Sequence, residues 1–178
     1  MRNTLLLLLL CFALVLFGCV RQKPEPRVAP GQFDAGQAKL LLNKGPNTIQ
    51  GTALLRKSNG DAVTCAGKKV GLIPLTSYSQ ERMAKLYGNS TKGVNPINPD
   101  GTLMNVIEGV DPEYERLVLQ TVCDRQGFFT FENVADGTFF AITGIGWMAG
   151  SNNAQGAGLM QRVTVSGGET KDILLTAP

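Results

Sequence analysis

The 178 residues of this chain include no histidine. That absence removes Ser-His-Asp and Cys-His catalysis, imidazole metal sites and histidine general bases; no enzymatic activity is expected. Few other groups have chemistry to offer. Asp100, Glu108, Asp111, Glu113 and Glu115 crowd one stretch and, with Asn95 and Asn98, supply oxygen ligands of the kind Ca²⁺ takes. Asn98-Pro99-Asp100-Gly101 is only a fragment of a calcium-loop pattern, so a solvated loop is the expectation and no metal is assigned. Ser77, Ser79 and Lys85 carry the residue types of a Ser-Lys hydrolase, but such residues are ordinary on a capped helix. Trp147 stands before a stretch rich in Asn and Gly and offers a stacking face for a sugar, although core packing is the commoner use of a strand-end tryptophan. The glycine-rich segment 144–158 lacks the lysine and the following helix of a phosphate loop. No cofactor is expected.

The cysteines say where the chain belongs. Residues 5–17 form an uninterrupted apolar run behind Arg2, shorter than the roughly 20 residues of a membrane span. It suits the core of a secretory signal. The run ends in Leu16-Phe17-Gly18-Cys19, which resembles the lipobox of bacterial lipoproteins. In that family the cysteine is acylated and the chain is cut before it. The resemblance implies a signal peptide over residues 1–18 and a lipid anchor, such as palmitate, on Cys19. Val20 stands where an aspartate would retain an enteric lipoprotein at the inner membrane. The expected location is the outer membrane, facing the periplasm. Cys11 leaves with the signal, so Cys65 and Cys123 are one pair in an oxidising compartment, and a disulfide between them is expected. A reactive or metal-binding thiol pair is the rival reading, without a CxxC motif or histidine to support it.

Behind the anchor, residues 19–33 read as a proline-rich tether. Without residues 1–18, whose one charged residue is Arg2, the net charge falls from +3 to +2. A charge so small carries no nucleic-acid footprint. A short helix and lead-in are expected over 34–47, with Asp34 as N-cap and Gly45-Pro46 as stop. Leu40, Leu41 and Leu42 need a surface to dock on. Strands are expected over 49–56, 69–75, 114–123, 128–132, 138–147, 159–165 and 170–175, the last two as a hairpin around Ser166-Gly167-Gly168-Glu169. Met83, Leu86 and Tyr87 share one face of a helix over 77–87, capped by Ser77 or Ser79 and ended by Gly88. Residues 88–105 and 148–158 read as loops.

The residues from Gly51 to Pro74, then Cys123-Asp124, Gly127, Phe129, Phe131, Asn133-Val134, Gly137 and Phe139, resemble the carboxypeptidase regulatory-like domain. That family has a transthyretin-like β fold. The resemblance implies a mainly β, Ig/transthyretin-like two-sheet sandwich over 48–178 with about seven strands. The segment 76–114, a short helix and long loop, is an insertion on it. Phe129, Phe131 and Phe139 should face the space between the sheets. The domain is not catalytic in carboxypeptidases, and the fold hosts many roles.

The expected function is that of a non-enzymatic, membrane-tethered module that binds another envelope protein. A carbohydrate- or peptidoglycan-binding module is an alternative, and an accessory subunit of a hydrolase or secretion assembly is another. The candidate binding surface comprises Tyr78, Tyr87, Asn95, Asp100, Trp147, Asn152 and Asn153. An exposed apolar patch on the insertion would mark a protein partner; an aromatic-lined polar groove would mark a glycan.

Overall fold

A computed structural model describes residues 31–177. The expected signal peptide, Cys19 and the tether up to residue 30 lie outside the described residues. The order of elements is α1 (Ala35–Leu41), β1 (Lys44–Arg56), β2 (Ala62–Thr64), β3 (Lys69–Pro74), α2 (Ser77–Tyr87), β4 (Lys92–Pro96), α3 (Pro112–Arg116), β5 (Leu119–Val122), β6 (Phe128–Val134), β7 (Gly137–Met148), β8 (Ala154–Val165) and β9 (Thr170–Leu175). The fold is mainly β, in two sheets. In one, β1 pairs antiparallel with β2 and β6 and parallel with β9. The other is antiparallel throughout, in the order β4-β8-β7-β3-β5.

Alternation along the strands builds the core. Ile49, Ala53, Phe129, Phe131, Ile173 and Leu175 from the first sheet meet Val70, Leu72, Phe139, Ala141, Leu159 and Val163 from the second in one buried cluster. The three phenylalanines therefore lie where their spacing places them. Part of the opposite face of the five-stranded sheet is covered as well. Ile73, Phe140 and Met160 form a second buried cluster with Tyr78, Met83, Tyr87 and Tyr114. Helix α2 lies across this outer face. Its one-sided stripe is thus core packing, and a sheet covered on both faces explains why Phe139 and Phe140 are both fully buried.

Cys65 and Cys123 are disulfide-bonded across a sequence separation of 58, with Cα atoms 5.8 Å apart. Cys65 follows β2 in one sheet and Cys123 follows β5 in the other, so the bond joins the two layers. In the chain-entropy picture a loop of this length contributes about 4 kcal/mol.

Several boundaries differ from the sequence reading. Among the described residues there are nine strands; β2 is only three residues long, and β4 is built from Lys-Gly-Val-Asn-Pro, which has little strand character of its own. Pairing with β8 makes β4 a strand inside the expected loop 88–105. The expected strand over 114–123 begins instead as α3, because Asp111 caps the Glu113 amide and Pro112 occupies the first turn. The expected loop 148–158 shrinks to residues 149–153, and β8 absorbs Gly156 and Gly158. Thr76 caps α2, with Ser79 as the reciprocal half of a capping box. Gly45-Pro46 sits inside β1, so α1 ends before it. Leu41 packs against the core while Leu40 stays exposed.

The largest departure is at the C-terminal side. β8 and β9 are not a hairpin; they belong to different sheets. An inward-facing alternation looks the same for a hairpin and for a chain that crosses between layers. The crossing is fixed by Asn47, a fully buried residue at an irregularity in β1. Its amide donates to Val134 O at 3.0 Å and Asp136 Oδ1 at 2.9 Å. Its carbonyl accepts from Gly168 N at 2.8 Å and Glu169 N at 3.1 Å. One side chain thereby holds the β6–β7 and β8–β9 turns against β1. Asn47→Ala is expected to cost about 2–4 kcal/mol, because buried backbone groups lose their partners. Urea unfolding of the full chain measures this. A loss below about 1 kcal/mol would mean that the turns hold themselves.

Candidate functional site: a glycine-floored groove

The inserted helix covers only part of the outer face of the five-stranded sheet. Beyond it the outward positions are glycines: Gly71 on β3, Gly144 and Gly146 on β7, and Gly158 on β8. Their missing side chains leave a groove of about 520 Å³. Tyr87, Val118, Ile142, Ile97 and Leu103 wall it. The floor is not uniformly open. A Cβ on Gly158 would lie 3.4 Å from the Tyr87 hydroxyl and from Leu103, and one on Gly71 would press on Ile142 and Val118 at 3.2 Å. At Gly144 a Cβ would meet nothing within 4 Å.

The groove's far wall is held by a tight turn. Asn98 N donates to Thr102 O at 2.7 Å, Ile97 bridges Leu103, and Ala154 N donates to Pro99 O at 2.9 Å. Asp100 Oδ1 accepts from the Thr102 hydroxyl at 2.6 Å and the Thr102 amide at 2.9 Å. These bonds hold its carboxyl below the usual carboxylate range. After the turn the chain presents Leu103, Met104 and Val106 to solvent; Val106 is 69% exposed.

The expected surface residues separate into distinct roles. Asp100 and Asn152 come together, with Pro99, Met148, Ser151 and Ala154, around a shallow cleft of about 480 Å³. Asn153 closes the same β7–β8 turn through its carbonyl, which accepts from Ala149 N. Three others are buried and cannot form an exposed platform. Asn95 exchanges hydrogen bonds with the backbone of Asn105 at 2.8 and 3.0 Å and so ties the segment after the 98–102 turn back to β4. Tyr78 packs against Phe33 and Tyr114, and its hydroxyl accepts from Asp111 N. Tyr87 shows the groove little more than its hydroxyl edge. The apolar spacing of Met83, Leu86 and Tyr87 on α2 marked Tyr87 as core, and burial prevails over stacking for both tyrosines. Trp147 is half-buried against the main core with the Lys57 ammonium 5.9 Å from its ring. The glycines were the missed signal: Gly144, Gly146, Gly156 and Gly158 fall on every second position and so on one face.

Among the described residues, no three acids or cysteines gather as metal ligands. The Asn98–Gly101 fragment forms a turn that spends one carboxylate oxygen on Thr102.

Two predictions follow from this geometry. Gly144→Val should fill the groove without unfolding the chain, and should hold or raise the thermal midpoint, since a β-branched residue suits a strand better than glycine by up to about 1 kcal/mol. A lowered midpoint would mean that the groove is closed space. Burial pushes Tyr87 up to about 12, and pushes Tyr114 up to about 12 against the opposing charge of Arg82. Both phenols stay protonated in the folded state beyond the pH at which the unfolded chain ionises. Their contribution is therefore complete below about pH 10 and is lost as pH rises toward 12. Phenolate absorbance followed with far-UV dichroism should show both ionising only as the fold is lost.

No family model matches this chain, and no curated protein does. Among solved structures, it is similar to the crystal structure of a candidate carbohydrate-binding protein from Pseudomonas aeruginosa. The two chains are 26% identical with a TM-score of 0.66, over 83% of this chain and 99% of that one.

Proposed function

We propose that this chain is a non-enzymatic binding module of the bacterial envelope, anchored through lipid on Cys19, whose glycine-floored groove receives an apolar side chain of a protein partner. The observation that carries this reading is the make-up of the groove and its border. Its walls are mainly apolar, with Lys69, Gln120 and Thr143 as polar exceptions, its floor is largely glycine, and Leu103, Met104 and Val106 extend an exposed apolar surface beside it. A rim of that kind suits a protein partner. The lipobox resemblance supports the anchor and the envelope location. The resemblance to the carboxypeptidase regulatory-like domain supports a role without catalysis.

A second reading is favoured by a separate observation. The similar Pseudomonas aeruginosa protein is a candidate carbohydrate-binding protein. Here the cleft of Asp100, Ser151 and Asn152, with Met148 beside them, combines hydrogen-bonding groups and an apolar face of the kind a sugar uses.

One experiment separates the two. The lipidated wild type, Gly144→Val and an Asp100→Ala/Asn152→Ala double variant are cross-linked in cells and purified. In parallel, each is tested for retention on envelope polysaccharide and peptidoglycan. Envelope proteins recovered with wild type and the double variant but lost with Gly144→Val establish the groove as a protein-docking site. Equal protein recovery from all three, with polysaccharide retention lost only in the double variant, replaces that reading with glycan binding. Acyl incorporation abolished by Cys19→Ser checks the anchor.

A further inference from the structure

A second pocket, of about 420 Å³, lies where α2 and α3 meet the sheet. It shares Tyr87, Val118, Gln120 and Ile142 with the groove but has a different character. Ile73, Leu86 and Val110 give it apolar walls, and Arg82 and Tyr114 also line it. The Arg82 guanidinium carbon lies 5.5 Å from the Tyr78 ring centre and 5.4 Å from that of Tyr114, so the two rings hold the guanidinium in place.

That stacking leaves something over. Arg82 Nε and Tyr114 Oη are both buried, and neither the N–H nor the O–H reaches an acceptor among the described residues; the Tyr114 oxygen can still accept from the stacked guanidinium, which opposes the upward push of burial. Tyr114 itself is only 7% exposed. The Tyr78 hydroxyl, by contrast, is engaged by Asp111 N. Both orphaned groups are donors: a guanidinium N–H does not ionise, and burial holds the Tyr114 phenol in its protonated form. Arg82 forms no ion pair among the described residues; Glu115 also borders the pocket, but it is exposed and is not paired with Arg82. A purely structural arginine explains the stacking but not two buried donors that line one pocket without an acceptor, an arrangement that destabilises the fold.

We propose that this pocket binds the carboxylate of a small amphipathic, fatty-acid-like molecule. The carboxylate accepts from Arg82 Nε and Tyr114 Oη, and the aliphatic tail lies along Ile73, Leu86 and Val110. The proposal does not depend on what the neighbouring groove binds.

The test uses the full lipidated chain in nanodiscs, titrated with octanoate and, as a neutral molecule of equal length, octanol; empty nanodiscs supply the background. Octanoate should bind saturably to wild type. Arg82→Met should weaken it at least about tenfold, the loss of a charged hydrogen bond. Tyr114→Phe should weaken it severalfold while leaving the thermal midpoint of the unliganded protein unchanged or higher, an outcome opposite to that of a structural hydroxyl. Gly144→Val should leave octanoate binding intact. Equal binding of octanoate and octanol, octanoate binding unchanged by Arg82→Met and Tyr114→Phe, or no saturable octanoate signal above empty nanodiscs would each overturn the proposal.

Discussion

The architecture depends on the four hydrogen bonds of one buried amide. Asn47 sits where β1 departs from regular pairing, and its side chain satisfies two donors and two acceptors contributed by two different turns. Only a side chain that both donates and accepts can do this, and isosteric Asp or Leu would leave groups unmet. Because the β8–β9 turn is held there, β9 enters beside β1 and not beside β8. The first sheet then has β6 and β9 to cover the inner face of the second. Gly51 allows the parallel strand its close approach, since a Cβ there would strike the carbonyl oxygen of Ile173. The disulfide holds the layers together at another point of the sandwich.

With one face of the five-stranded sheet closed in this way, the other is free for the insertion. Helix α2 covers the part of that face bearing Ile73, Phe140 and Met160, and the tyrosines of α2 and α3 complete the layer. Where the outward residues become glycine the cover stops, and the groove begins. The Arg82 pocket occupies the boundary between the two regimes. Both cavities are thus products of an incomplete second layer, built by a segment of low strand character on a rigid floor.

Much of this was legible in the residues. Alternating aromatics at 129, 131 and 139 report a face, Asp34 and Gly88 report helix ends, and Cys65 and Cys123 pair with each other. What stayed hidden was set by partners distant in sequence. Residues 92–96 are a strand because β8 lies alongside, not because Gly, Asn and Pro favour one. The distal end of the β7–β8 ribbon, over 148–158, looks like a loop until the register of twelve paired positions is seen. The alternation of β9 shows that it has an inner face but not which sheet it joins. Of the expected surface residues, Asp100 and Asn152 border one cleft. Tyr78, Tyr87 and Asn95 were chosen for chemical type, and burial assigned them to packing and to internal hydrogen bonds. The groove itself was invisible because it is made from absent side chains.

The parallel pairing of β9 with β1 has a kinetic meaning. β9 follows every other element in the chain, and its partner is the first strand. A nascent chain therefore carries β1 with an unfilled edge until the final strand has been synthesised, however much of the second sheet has already formed. The contacts that finish the sandwich are among the most distant in sequence, which places this domain with slow-folding topologies. Such a chain stays open for longer, and during that interval it is available to whatever moves or guards unfolded polypeptides.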